Sequence, residues 1–345
     1  MKTKYSFITG VIALMLTSFY ACTNEDWHFD DFDYTTSYFP WQYPIRTIVL
    51  GEVDYDNTND LNHSFIISAR MGGVYENGKD QQIEFVVDEN LCNNLSDKNS
   101  GNNLLPMPKE YYSLENDNTI IIPKGSMSGG VKVQLNDNFF QDPLALGVNY
   151  VIPMRIIRST TDSILCGNPQ VDNADCRDET QWKVAPKDFT LFAVNFINKY
   201  HGKYLLRGKT ICKGEDGKEI SKSTYHQQYI EKDIVTDLQT ASLTSLNWEN
   251  TIRVSSGNSP GVCKMIINVS ESGKCQIKEQ QGASIKVDGE GEWIDNGDAW
   301  GGKARDVFHL QYKTEVNGLT YEITDTLVFR DNTVSTKEFT PMIMK

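Results

Sequence analysis

Apolar residues in this chain come in short runs or alternate with polar ones, and turn-forming residues punctuate them. In the first half the runs are Ile45–Leu50, Ser64–Ala69, Gln82–Val87, Thr119–Ile122, Val131–Leu135 and Tyr150–Ile157. Their length and β-branched content predict strands, and Gly, Asn, Asp and Pro between them predict turns. Asn77-Gly78 carries a hairpin signal. No amphipathic helical period of useful length interrupts the series. So many short strands in so few residues predict an immunoglobulin-like β-sandwich over residues 35–165.

From Ser159 to Pro186 the pattern gives way to Asn, Asp, Cys and Pro, which predicts a boundary with a linker over 166–187. Strands resume at Lys203–Arg207, Ile252–Val254, Cys263–Val269, Ser284–Val287, Val307–Tyr312 and Tyr321–Phe329. Asp188–Tyr200 reads as a helix or a long strand leading into this second domain, residues 188–345. His201-Gly-Lys-Tyr-Leu-Leu-Arg-Gly resembles the first strand of a lipocalin-like β-barrel; a second β-sandwich is the alternative. The expected fold class is all-β in either case.

The N-terminus departs from this alternation. Lys2 and Lys4 precede a mostly apolar stretch, Phe7 to Leu16, and Ala21 stands directly before Cys22. That order is a signal peptide over 1–21, too short to remain as a spanning helix. A cysteine at the cleavage point predicts lipidation of Cys22, with acyl chains as the anchor. Phe19 and Tyr20 stand where a leucine and a small residue are usual, as in the signals of Bacteroidota lipoproteins. Residues 22–34 read as an acidic tether, in which Glu25 and Asp26 resemble the signal for display on the outer face of the outer membrane.

Composition narrows the partners. The net charge is −13, and removing residues 1–21 takes away two lysines and no acid, so the mature chain stands at −15. Such a surface repels nucleic acid, whose binding needs Lys and Arg, and suits a neutral ligand or a calcium-rich exterior better. Lipidation of Cys22 leaves six of the seven cysteines. Export permits disulfides, and the spacing suggests Cys166–Cys176 across a polar loop and Cys263–Cys275 across a hairpin, among many other pairings.

Motifs spread over nearly the whole mature chain carry a family likeness. Tyr38-Phe-Pro-Trp-Gln-Tyr-Pro44, Arg46-Thr-Ile-Val-Leu-Gly51, Gly72-Gly-Val-Tyr-Glu-Asn77 and Ile122-Pro-Lys-Gly125 lie in the first half, which ends on Tyr150-Val-Ile-Pro-Met-Arg155. Asn198-Lys-Tyr-His-Gly-Lys-Tyr204, Trp300-Gly-Gly-Lys303 and Asp325-Thr-Leu-Val-Phe-Arg-Asp331 follow in the second. Together they resemble the two-domain surface lipoproteins encoded in Bacteroidota glycan-uptake (polysaccharide-utilisation) loci. The first domain also resembles the module found ahead of secreted endoglycosidases of the chitinase type. The resemblance implies a glycan-binding protein on the outer membrane that serves an importer complex.

Catalytic signals are weak. Gly257-Asn-Ser-Pro-Gly261 matches the letters of a nucleophile elbow, but Pro260 and Gly261 start helices poorly and only His309 lies downstream as a base. Ser259 is therefore expected in a turn. Asp54-Tyr-Asp-Asn-Thr-Asn-Asp60 resembles the start of a calcium loop without its glycine and glutamate, and is expected to be a solvated acidic loop. Five scattered histidines and the lack of a cofactor motif predict neither metal nor cofactor.

Sugar binding asks for less: an aromatic ring for the C–H face and polar groups for the hydroxyls. The second half offers Trp248 beside Asn247, Trp293 and Trp300 bracketing Asp295 and Asn296, and Tyr225 in a polar stretch. These seven residues are the expected glycan contacts, with Trp248 and Trp293 foremost, and 188–345 is expected to bind by itself. The function expected is capture of an oligosaccharide without cleavage; a carbohydrate hydrolase and a protein-binding adhesin or assembly subunit are the alternatives.

Overall fold

The computed structural model describes residues 31–51, 53–332, 334 and 337–344. Cys22, the leader, Glu25 and Asp26 lie outside the described residues. The fold is all-β: a sandwich of two sheets and an eight-stranded closed barrel.

One sandwich sheet runs Ser163–Ile164, Thr36–Tyr38, Ser64–Gly72, Ser128–Leu135, Tyr112–Leu114. The other runs Lys337–Glu338, Pro44–Val49, Phe189–Ile197, Tyr150–Ser159, Gln81–Val87, Thr119–Ile122. Period-two alternation sets which side chains enter the core. In Ser64–Gly72 the buried set is Phe65, Ile67, Ala69 and Met71, while Ile66, Ser68 and Arg70 face outward. They meet Phe85, Ile120, Ile152 and Phe196 from the facing sheet. Burying each such side chain contributes at most about 1.5–3 kcal/mol.

Asn77-Gly78 does not close a hairpin. The strands on either side, Ser64–Gly72 and Gln81–Val87, belong to different sheets. Asn77 is instead buried, and its Nδ2 donates to the carbonyls of Pro123 and Ser126, 3.0 Å each. It thereby pins a neighbouring turn.

The largest departure from the sequence reading lies at 188–197. Phe189–Ile197 is a strand, antiparallel to Tyr150–Ser159 and parallel to Pro44–Val49, so it completes the sandwich rather than opening the barrel. Its near-continuous apolar run is buried on both faces: Val194 and Phe196 enter the sandwich core, and Phe189, Leu191 and Ala193 enter a second cluster with Leu91 and Phe339. Local pattern identifies a strand, but only long-range pairing says which sheet it joins.

The C-terminus returns as well. Lys337–Glu338 pairs with Pro44–Val49, Pro341–Ile343 pairs with Leu95–Asp97, and between them Phe339 packs against Tyr43 at 5.5 Å. The barrel, 202–331, is therefore inserted between two pieces of the sandwich, and a unit cut at 188–345 would remove strands from it. The 166–187 segment is ordered too. Asn168–Pro169 pairs with Trp182–Val184, and Arg177 binds Asp175 and the carbonyls of Leu91 and Asn93.

In the barrel each strand pairs with the next from Ile234–Thr240 through Leu319–Asp331, and Gly202–Lys213 pairs with both ends to close it. The hairpin Glu219–Tyr225 pairs with the upper part of Gly202–Lys213 outside this cycle. Closure leaves no free edge, and it rules out the second sandwich. Side chains fill the interior, among them Tyr204, Trp248, Met265, Ile277 and Phe308.

The six described cysteines are free thiols. Cys275 lies opposite Val269, six positions along that strand from Cys263. At about 3.3 Å per residue the pair is roughly 20 Å apart, far beyond disulfide reach. Cys166 and Cys176 line one pocket beside Arg155, whose Nη2 lies 3.4 Å from Cys176 Sγ. Among the described residues no helix is long and apolar enough to cross a membrane.

Candidate functional site, a cleft between sandwich and barrel

Where the two domains meet, two adjoining cavities of about 310 and 350 Å³ share Val53, Lys199 and Asp306 as lining. One wall is the sandwich segment 50–61; the other is the barrel end formed by Val287–Trp300, Lys303–Val316 and Leu319–Asp331. Gly51 allows the walls to approach, since a Cβ there would lie 3.0 Å from Lys199 Cα. Buried Asn198 fixes the connection: its Nδ2 donates to the carbonyls of Ser242 and Ser245 and its Oδ1 accepts from Tyr200 N–H. Lys199 is thus held at the junction.

A bulge shapes the barrel wall. Ile294 pairs with Val307 and Asp298 with Arg305, so Asp295, Asn296 and Gly297 stand against Asp306 alone. Asn296 adopts φ +50°, its N–H donates to Asp306 Oδ1 (3.0 Å), and its Nδ2 donates to Asp295 Oδ1 (2.8 Å). A side chain at 297 would strike Ile294 and Val307 within 2.8 Å, so only glycine fits. The bulge turns Asp295 and Asn296 into the cleft lining.

Trp293 lines the cleft just before the bulge. Tyr200 meets its ring edge-on at 5.2 Å, and Lys199 Nζ lies 4.5 Å from its ring centroid. The indole face is thus occupied by a cation, whereas Nε1 is buried with no partner. Trp300 stands behind the wall: its Nε1 donates to the Phe329 carbonyl (2.9 Å), and the Arg305 guanidinium lies over its ring at 4.7 Å.

The other expected contacts lie elsewhere. Trp248 is 1% exposed inside the barrel, its Nε1 donating to Thr236 Oγ1 (2.8 Å) and its ring edge-on to Tyr312. It is core. Asn247 points to the outside of the same strand, beside Gln239 and Ile266. Tyr225 donates its hydroxyl to Asp325 under the Arg253 guanidinium. Asp325 also accepts from Tyr312 Oη (2.8 Å) and Asn250 Nδ2 (2.9 Å), and burial pushes its carboxyl up to about 6 despite these bonds. Seven side chains expected together are therefore divided: Trp293, Asp295 and Asn296 line the cleft, Trp300 backs it, and Trp248, Asn247 and Tyr225 are remote.

Sequence reasoning missed Lys199, Arg305, Asp306 and Tyr55 as lining. The Asp54–Asp60 loop also differs from expectation. Asp60 turns inward to accept from Arg46 and the Val49 N–H, Asp56 accepts from Thr58, and Asp54 lies 3.9 Å from Lys303 of the barrel. Its carboxylates do not converge. Ser259 sits in a turn, donating to the Ile252 carbonyl (2.8 Å) and accepting from Gly261 N–H (3.2 Å), while His309 lies beside Thr326 (3.3 Å).

An immunoglobulin-like sandwich with an inserted eight-stranded barrel and a cleft between them defines the class: a two-domain, all-β protein. A Bacteroides ovatus crystal structure described as of unknown function is 36% identical, covering 90% of this chain and 100% of its own, with a TM-score of 0.84. The chain belongs to the family of that protein. Residues 199–333 match a domain of unknown function, DUF5627, and residues 32–163 match a model described as an N-terminal domain. A multidomain Bacteroides ovatus protein including DUF1735 is 12% identical, covering 86% of this chain and 94% of its own, TM-score 0.43. An auxiliary nutrient binding protein from Bacteroides thetaiotaomicron is 11% identical, covering 83% and 90%, TM-score 0.37. No curated protein matches the chain.

Proposed function

We propose that this protein captures oligosaccharides in the cleft between its domains and presents them uncleaved to an outer-membrane importer, anchored outside the cell by lipid on Cys22. The observation that carries the reading is the Trp293 wall: an indole with a buried, unpartnered N–H, flanked by Asp295, Asn296 and Asp306. Saccharide sites combine an aromatic surface with a few convergent donors and acceptors, in clefts that favour domain junctions. Lys199 covers one face of the indole, so a sugar meets the part of Trp293 that lines the cleft together with the polar groups beside it.

Trp293→Ala should weaken binding of the best ligand from a glycan panel about five- to a hundredfold, an effect of roughly 1–3 kcal/mol. Calorimetric titration beside thermal unfolding checks this. An equal fall in melting temperature would reduce Trp293 to packing, and new reducing ends during incubation would favour a hydrolase. For the anchor, Cys22→Ala should move the protein from the membrane fraction to the soluble fraction. Retention of that variant in membranes would overturn the lipid anchor.

A further inference from the structure

Four partly buried arginines are matched with carboxylates, Arg46 with Asp60, Arg155 with Asp88 and Asp188, Arg177 with Asp175 and Arg207 with Asp233, and Arg253 donates to Asn250 Oδ1 instead. Arg305 is different. Its Nε is buried without a hydrogen-bond partner, and among the described residues no carboxylate lies within 4.0 Å of its guanidinium or of Lys199 Nζ. Asp298, opposite Arg305 across the hairpin, turns to Ala299 N–H instead. Of the cleft's own acids, Asp54 faces Lys303, Asp331 faces Arg330, Asp306 accepts from Asn296 N–H, and Asp295 accepts from Asn296 Nδ2. In a chain with 46 acids and 33 bases, Lys199 and Arg305 are two cations on one cleft with no carboxylate within ion-pair distance among the described residues.

Both cations are also held in place. Lys199 Nζ sits over Trp293 and Tyr200, and the Arg305 guanidinium over Trp300, contacts that fix a charge without neutralising it. Trp293 Nε1 adds another buried donor without an acceptor. Buried N–H groups without partners are rare and costly.

Resting on the reading of the cleft as a saccharide site, we propose that it selects an acidic saccharide, whose carboxylate or sulfate is held by Lys199 and Arg305. An oxyanion accepts several N–H bonds and donates none, which matches what these groups lack. The net negative charge of the chain, read alone, points to a neutral ligand; Lys199 and Arg305 are cations set in a lining that also carries Asp54, Asp295, Asp306 and Asp331.

The test is calorimetric titration of the full mature chain with acidic saccharides and their neutral counterparts: trigalacturonate and its methyl ester, sialyllactose and lactose, and a chondroitin sulfate tetrasaccharide and its desulfated form. An acidic member should bind at least tenfold more tightly than its counterpart, and the pair that responds distinguishes carboxylate from sulfate. Lys199→Met keeps the stem over the rings and removes the charge. It should abolish that preference, whereas Lys199→Arg should retain it. Arg305→Gln should behave like Lys199→Met; if it unfolds, Arg305→Lys should fold and keep the preference. Equal affinity within every pair would overturn the charge selection and leave saccharide binding standing. Failure of all six saccharides to bind would overturn both.

Discussion

Trp248→Ala should lower the unfolding free energy by about 3–5 kcal/mol, as for other large aromatics removed from a closed core, while leaving saccharide affinity of the folded protein unchanged. The side chain is 1% exposed and packs among Leu238, Leu246, Met265 and Tyr312. Its removal opens a cavity that a closed barrel relaxes around poorly, and it strands the Thr236 hydroxyl that accepts from Nε1. Urea unfolding gives the first quantity and titration of the native protein the second. A loss below about 1 kcal/mol together with weakened binding would return Trp248 to the ligand.

A second large effect is a pH dependence from Asp325. This carboxyl is fully buried inside the barrel, where burial pushes it up to about 6, against about 3.9 in an unfolded chain. The folded state therefore holds the proton more tightly. The stability this gives is full below about pH 4 and is lost as pH rises through about 6, by roughly 3 kcal/mol in all. Asp325→Asn removes that slope. Relative to wild type, the variant should gain about 2 kcal/mol between pH 4 and pH 7, whatever its stability at either end. Urea titrations at pH 4, 5, 6 and 7 measure the difference. A difference that is constant, or that moves against the variant, would mean that Tyr225, Tyr312, Asn250 and nearby Arg253 hold the carboxylate ionised.

The strands were legible because alternation is local. Ser64–Gly72 shows its buried face directly in the order of its side chains. The same rule, applied to Leu246-Asn-Trp-Glu-Asn250, gives Trp248 correctly: on a strand, Asn247 and Glu249 point away from it, so polar flanks mark the opposite face. Asn247 and Trp248 therefore cannot meet one ligand from the same face of the strand. Trp293, Asp295 and Asn296 were grouped correctly as neighbours, but the bulge that aims them depends on pairing with Val307 and Arg305. Lys199 and Arg305 were invisible as a pair because 106 positions separate them, and only barrel closure brings both to one cleft. The place of Phe189–Ile197 depended in the same way on partners distant in the chain, Pro44–Val49 and Tyr150–Ser159.

The insertion of the barrel sets an order of events during synthesis. Gly202 and Asp331, the barrel's first and last residues, lie side by side, so a Cβ on Gly202 would sit 2.7 Å from the Asp331 carbonyl oxygen. The barrel can therefore close using only its own strands. The sandwich cannot: Pro44–Val49 waits for Phe189–Ile197 on one side and Lys337–Glu338 on the other, and Tyr43 waits for Phe339, almost at the end of the chain. Contacts of such sequence separation form late because the intervening chain must first be ordered. The half that emerges first is thus the half finished last, and its unpaired strand edges are exposed until residues 337–339 arrive.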